Sequence, residues 1–216
     1  MVTVVDYNAG NLTSVRRALG YLGAECEITG EPEKIAAAER VIFPGVGNAE
    51  SAMRNLNESG IADALRRAVF RGAPFLGICL GMQIMLSHSD EGNVDCLNLF
   101  EGGVRLLKPD KGLKIPRADR NGQVSLKIPH MGWDRLKYLK DHELFDGIEP
   151  RSEFYFVHSY YAEPSNAEDT VALSDHGVEF AAVIGRGNMF AVQFHPEKSG
   201  APGLKILENF ISWNPR

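Results

Sequence analysis

The stretch PFLGICLGMQ, from Pro74 to Gln83, decides the fold. Phe75 to Ile78 is an apolar run of strand length, and a helix-forming run from Leu80 to Leu86 starts one residue after it ends. Between them stands Cys79, with Gly77 and Gly81 on either side. The pattern G-x-nucleophile-x-G marks a sharp strand-to-helix turn, where a side chain at either glycine would collide with the tightly folded backbone. Such a turn lifts the sulfur to the carboxyl edge of a sheet, near a helix N-terminus whose partial positive charge favours thiolate. The backbone N–H of Leu80 faces the same place and can stabilise an oxyanion. On spacing alone, the residues fit equally well an ordinary buried thiol between two glycines that permit close packing.

Outward from this turn, the N-terminal half repeats one unit. Val2 to Val5 reads as a buried strand, and Asn11 to Leu22 carries Val15, Ala18, Leu19 and Leu22 at helical spacing before Gly23. Glu25 to Thr29 follows as strand, Ile35 to Ala38 as a short helix, Arg40 to Phe43 as strand, and a helix begins at Asn48. Strands alternating with helices imply parallel pairing, because parallel neighbours need crossovers. From Leu97 onward, runs such as FYFVHSYY and AAVIGRGNMFAVQF, with DHG and GRGN as turns, add antiparallel strands. Ala201 to Trp213 reads as a closing helix, and the charged stretch from Lys108 to Lys127 as an exposed loop or hairpin insertion. The expected fold is α/β: a doubly wound, mostly parallel central sheet with helices on both faces, three layers, and added antiparallel strands.

The 216 residues suit a single domain, 1–216, with a sizeable core. Cys26, Cys79 and Cys96 form no CxxC pair and follow no signal-like N-terminus, so a reducing cytoplasm is the expected setting. No apolar run has the length of a membrane span, and a formal net charge of -5 argues against a basic nucleic-acid surface. His88, His130, His142, His158, His176 and His195 are scattered without ligand spacing, so neither metal nor cofactor is indicated, and His158 reads as a satisfied core histidine.

Two further motifs bear on Cys79. In QFHPEKSG, Gln193 to Gly200, His195 and Glu197 are two apart; on an extended backbone, which Pro196 favours, they project to one side. A histidine can take a thiol proton and return one to a leaving amine while a carboxylate holds its tautomer, so Cys79, His195 and Glu197 are candidates for a triad. In FPGVGNAE, Phe43 to Glu50, a strand ends in proline and glycine before a helix, a loop able to present N–H groups to an anion.

With these motifs, the chain resembles the class I (triad) glutamine amidotransferases, and within them the glutaminase-subunit family of imidazole glycerol phosphate synthases. GICLGMQ and HPE carry the resemblance to the class; DYNAGNL, PGVGN, PHMGWD, FYFVHSYY and HPEKSG carry it to the narrower family. It implies that Cys79 attacks the side-chain amide of glutamine, that His195 delivers a proton to the departing ammonia, that Glu197 orients His195, and that water hydrolyses the glutamyl thioester. Val46 and Gly47 would complete an oxyanion hole with Leu80. Gln83, Glu91 and the backbone of Ser159 and Tyr160 fall at the substrate pocket, although Glu91 taken without the family is a solvated charge at a helix end.

The resemblance also implies a (βα)8-barrel cyclase partner that receives the ammonia, with Asn11, Trp133, Tyr155 and Lys198 on the docking face. By residue type alone, Trp133 and Tyr155 could be core aromatics and Lys198 a free surface charge. Asn8 stands where the family often has glycine, Asp134 where it commonly has asparagine, and Arg105 to Lys127 is longer than in compact relatives. Three alternatives stay open: a glutaminase serving another synthase, a non-catalytic docking module, and a cysteine hydrolase of peptides or esters.

Overall fold

The computed structural model describes residues 1–8, 12–108 and 127–215, together with the backbone of two short strands at 114–115 and 124–125. In chain order the first half runs β1 (Val2–Val5), α1 (Leu12–Tyr21), β2 (Cys26–Thr29), α2 (Pro32–Ala37), β3 (Val41–Gly45), α3 (Ala49–Glu58), α4 (Ile61–Phe70), β4 (Phe75–Cys79) and α5 (Leu80–Gln83). Next come β5 (His88–Ser89), β6 (Val94–Asp95), β7 (Gly102–Leu106), β8 (Lys114–Ile115), β9 (Val124–Ser125), β10 (His130–Arg135) and β11 (Lys137–Tyr138). The chain ends with β12 (Glu153–His158), β13 (Tyr160–Pro164), β14 (Thr170–Asp175), β15 (Glu179–Arg186), β16 (Met189–Val192) and α6 (Gly200–Ser212).

The main sheet runs β2-β1-β3-β4-β16-β15-β13-β7-β5-β6, with β14 and β11 attached beside β15. From β2 to β16 every pairing is parallel, and beyond it the pairings are antiparallel except that of β5 with β7, as the change of character after Leu97 implies. Alternation along the parallel strands divides the core. Val41, Phe43 and Phe75 pack with Ile35, Met53, Leu56 and Leu65 of α2, α3 and α4. Ile42, Leu76 and Ile78 point to the other face and pack with Val15, Leu19, Ile206, Leu207 and Phe210 of α1 and α6. Each such side chain, fully buried, contributes roughly 1.5–3 kcal/mol against the chain entropy lost on folding.

Several boundaries differ from the sequence reading. The helix beginning beside Asn48 is two helices, because Gly60 takes the left-handed conformation (φ 75°) and turns the chain between α3 and α4. Asn48 caps α3, its Oδ1 accepting from Ser51 N at 2.9 Å. The helix after Cys79 lasts only from Leu80 to Gln83, not to Leu86, since the chain then turns to bond with residues 97–100. FYFVHSYY is not one strand: it breaks at Ser159 into β12, which pairs with β10, and β13, which joins the main sheet. Of the Lys108 to Lys127 insertion, β8 and β9 pair as an antiparallel hairpin, and the remainder lies mainly outside the described residues. No helix among the described residues is long and apolar enough to cross a membrane.

Candidate active site

Three neighbouring parallel strands, β3, β4 and β16, end together, and their ends carry the three motifs. Gly45 of β3 pairs with Cys79 of β4, so Val46 and Gly47 emerge beside Leu80. Val192 of β16 pairs with Ile78 of β4, so Gln193 and His195 leave the sheet beside Cys79. Carboxyl ends of parallel strands are where open α/β sheets bind ligands.

Cys79 has φ 55° and ψ -112°, a conformation that costs a non-glycine residue about 1–3 kcal/mol. Its neighbours explain how the turn holds. A Cβ on Gly81 would run into the backbone carbonyl of Phe43, and one on Gly77 would come within 2.6 Å of Met85 Sδ and 3.0 Å of Ala191 Cβ. Gly45 is confined in the same way, a Cβ there meeting the Tyr7 hydroxyl at 2.5 Å and Gly81 N at 2.9 Å. Glycine at these positions lets β3 and the elbow touch backbone to backbone.

His195 and Glu197 meet by a route other than the expected one. Pro196–Lys198 is a 3-10 turn, not extended chain, and the turn folds the carboxylate back until His195 Nδ1 and Glu197 Oε1 are 2.8 Å apart. Both side chains are buried, at 3% and 2% exposure. Proline suits the first position of a helical turn as well as an extended segment, which is why its presence misleads here. Ser199 braces the turn: its hydroxyl donates to the His195 carbonyl at 2.6 Å and accepts from Tyr155 N at 2.9 Å, while His195 N donates to Tyr155 O at 2.9 Å.

Burial works against a charge on His195, but Cys79 and Glu197 outweigh it and raise its pKa to about 10. Nδ1 is engaged by the carboxylate, and the buried Nε2 and Glu197 Oε2 have no hydrogen-bond partner among the described residues. Cys79 and His195 line one cleft of ≈ 350 Å³ with Val46, Gly47, Leu80, Gln83, Glu91, Ser159, Tyr160 and Lys198. A cleft of this size suits a small molecule.

The other expected positions fall as follows. Gly47 adopts φ 99°, open to glycine and strained for any other residue, and Val46 is exposed. Gln83 is buried with its amide nitrogen committed inward, 2.7 Å from Tyr160 O and 3.0 Å from Gln193 Oε1. Tyr160 therefore offers a carbonyl already in use, and the Ser159 carbonyl accepts from Leu107 N at 2.8 Å. Glu91 is not simply solvated: its Oε2 accepts from Ala49 N at 2.9 Å at the start of α3, and burial raises its pKa against that bond. Trp133 and Tyr155 are cross-strand partners on the ribbon of β10 and β12, their rings edge to face at 5.8 Å; Trp133 is exposed and Tyr155 half-buried, so neither is a core aromatic. Lys198 is exposed at the cleft mouth, and Asn11 lies outside the described residues.

Sequence reasoning missed two side chains at the thiol. Gln193, fully buried, points Nε2 at Cys79 Sγ from 3.7 Å. Its place two residues before His195 on a strand was the available signal. Tyr7 is buried, its hydroxyl without a partner among the described residues, and burial, then Cys79, raises its pKa. His158 is a satisfied core histidine that also lines the cleft, its pKa lowered to about 3 by burial and then by His130.

Comparison with known proteins places the chain in a family. The glutamine amidotransferase class-I family profile matches residues 3–213. Imidazole glycerol phosphate synthase subunit HisH of Nitratidesulfovibrio vulgaris (strain DP4) is 49% identical over 97% of this chain and 95% of its own. The subunit of the same name from Dechloromonas aromatica (strain RCB) is 45% identical over 99% of this chain and 97% of its own. Among solved structures, PurLQS from Thermotoga maritima superimposes with a TM-score of 0.70 at 20% identity, covering 98% of this chain and 97% of that one, which shows a shared fold. The chain belongs to the class-I glutamine amidotransferase family.

Proposed function

We propose that this chain, acting as one amidotransferase domain, is the glutaminase subunit of an imidazole glycerol phosphate synthase, with Cys79, His195 and Glu197 as its catalytic residues. The observation that carries the reading is the strained Cys79 elbow facing a buried His195–Glu197 pair in one small cleft. Relatives named imidazole glycerol phosphate synthase subunit HisH, matched nearly end to end, support the pathway.

Cys79 Sγ attacks the carboxamide carbon of glutamine, and the C–N bond breaks as His195 passes the thiol proton to the leaving nitrogen, releasing ammonia. Glu197 holds Nδ1 and keeps Nε2 aimed at the reacting atoms. The Leu80 N–H, with Val46 and Gly47, receives the oxyanion. Water then attacks the thioester through His195, giving glutamate and free thiol. Gln83, whose Oε1 is its uncommitted end among the described residues, Glu91, Ser159 and Tyr160 form the substrate wall.

A (βα)8-barrel cyclase completes a cytoplasmic heterodimer and takes up the ammonia, so the assembled enzyme acts as a lyase and channels its intermediate. Asn11, Trp133, Tyr155 and Lys198 make the docking face, with Trp133 a natural anchor. The glycine loop at Val46 and Gly47 is mispositioned until the partner binds, which restrains wasteful hydrolysis.

The test mixes the chain with a candidate cyclase and glutamine and follows glutamate with and without the cyclase's ligand. Cys79→Ala in the complex abolishes glutamine-dependent synthesis and leaves ammonia-dependent synthesis intact. Unchanged glutamine-dependent synthesis would leave only a docking role, and full activity of the isolated chain would remove the loop restraint.

A further inference from the structure

The face of β10 and β12 opposite Trp133 carries a chain of polar contacts outside the reaction described above. His158 Nδ1 lies 2.8 Å from the Tyr160 carbonyl, His158 Nε2 lies 3.1 Å from His130 Nδ1, and His130 Nε2 lies 2.9 Å from Asp134 Oδ2. Both histidines are buried, His130 at 1% and His158 at 6% exposure. A carbonyl at one end and a carboxylate at the other only accept, so three contacts need three hydrogens. Two neutral imidazoles bring two. The chain is complete only with one more positive charge, and the carboxylate of Asp134 sets the end at which that charge is held.

A proton can supply this charge, and so can a metal cation placed between His130 Nε2 and Asp134 Oδ2. With a cation there, both atoms act as lone-pair donors and the two ring protons fill the two inner contacts. His176 adds a third donor. Its ring stacks on His130 with centroids 4.0 Å apart, and its Nε2 lies 3.0 Å from the Lys127 carbonyl, which takes its single proton. Nδ1 is left as a lone pair without a partner among the described residues. Ligand atoms of His130, Asp134 and His176 all lie within 4.8 Å of one another. In both rings the second nitrogen donates to a fixed acceptor, the arrangement that orients metal-binding imidazoles.

We propose that His130, Asp134 and His176 bind a divalent transition-metal cation of the Zn²⁺ class. Two imidazoles and one carboxylate, with water in the fourth position, suit that ion. Bonds of about 2.0–2.2 Å bring tetrahedral ligand atoms to roughly 3.3–3.5 Å from one another. His130 Nε2 and Asp134 Oδ2, 2.9 Å apart, open by about 0.5 Å to take the ion, and His176, half-buried on the turn between β14 and β15, closes the site by tipping off the stack. The carboxylate of Asp134 is what lets the pair neutralise a cation. Bound metal holds His130 and His158 each in the Nδ1–H form, which fixes the tautomer of the imidazole in the cleft wall.

The test is calorimetric titration of Zn²⁺ into the full chain carrying Cys79→Ala, which removes the cleft thiol, while the half-buried Cys26 is common to every variant compared. The expected result is one equivalent bound, weakened at least roughly tenfold by Asp134→Asn and by His176→Gln. Zn²⁺ raises the thermal midpoint of the Cys79→Ala parent by more than it raises those of the two further variants, a readout that also shows each variant is folded. Co²⁺ in the same parent gives visible bands of nitrogen and oxygen ligation. No binding by the parent, or binding that either further variant leaves unchanged, overturns the proposal.

Discussion

Two partners raise the pKa of His195 against its burial: the Cys79 sulfur and the Glu197 carboxylate. Its folded-state pKa is raised from 6.5 to about 10, so this stabilisation is fully present below about 6.5 and is lost as the pH rises through about 10. The thermal midpoint is expected to fall across that window, and Cys79→Ala to flatten the fall by removing one of the two partners. Proton NMR of the His195 ring gives the same answer directly: its titration moves down in Cys79→Ala, and a titration fixed near 10 would remove Cys79 as a cause. Glu197→Gln keeps the shape of the contact but not the charge or the tautomer control. Glutaminase kcat of the assembled complex should drop roughly 10²- to 10⁴-fold, with KM little changed because Glu197 does not touch substrate. The three residue types were legible in the chain, but their meeting was argued from an extended backbone that does not exist. Gln193 and Tyr7 went unread because a glutamine on a strand and a tyrosine after one have many commoner roles.

At the scale of the element, the elbow depends on β3 and α5 touching through bare backbone. Gly81→Ala puts a methyl group into the Phe43 carbonyl, and the main chain on both sides must shift. Denaturant unfolding should show a loss of about 1–3 kcal/mol or more, accompanied by loss of glutaminase activity. Gly20→Ala is the contrasting case. Gly20 lies near the end of α1, with no positive φ and nothing within 4 Å of a built Cβ. There the same change should stabilise by roughly 0.5–1 kcal/mol, since glycine is a poor helix former. Both elements were readable from local pattern, because glycine spacing and apolar periodicity are properties of neighbouring residues. Their ends were less so: α5 stops at Gln83 because the amides of Leu97 to Phe100 take the carbonyls of Ile84, Met85 and Leu86 that a longer helix would use.

For the whole molecule, the ribbon of β10 and β12 joins two surfaces. Its outer face presents Trp133 against Tyr155, while the backbone of Tyr155 holds the His195–Ser199 turn and the carbonyl of Val157 lies 3.9 Å from Cys79 Sγ. A partner pressing on Trp133 therefore pushes on a strand that touches the thiol and the histidine. Trp133→Ala is expected to weaken binding of the cyclase at least about tenfold, measured by titration calorimetry, with little change in the thermal midpoint of the isolated chain, because the indole is exposed in it. By itself, the sequence determined the alternating strand and helix units, the glycine-flanked cysteine, and the residue types of the triad, all of which follow from short-range sterics and periodicity. Only the tertiary structure decided that β16 lies beside β4, that a 3-10 turn joins His195 to Glu197, and that four residues from two strands and a turn, His130, Asp134, His158 and His176, share one network. Strand order and proton accounting depend on contacts between residues far apart in the chain, and no local pattern records them.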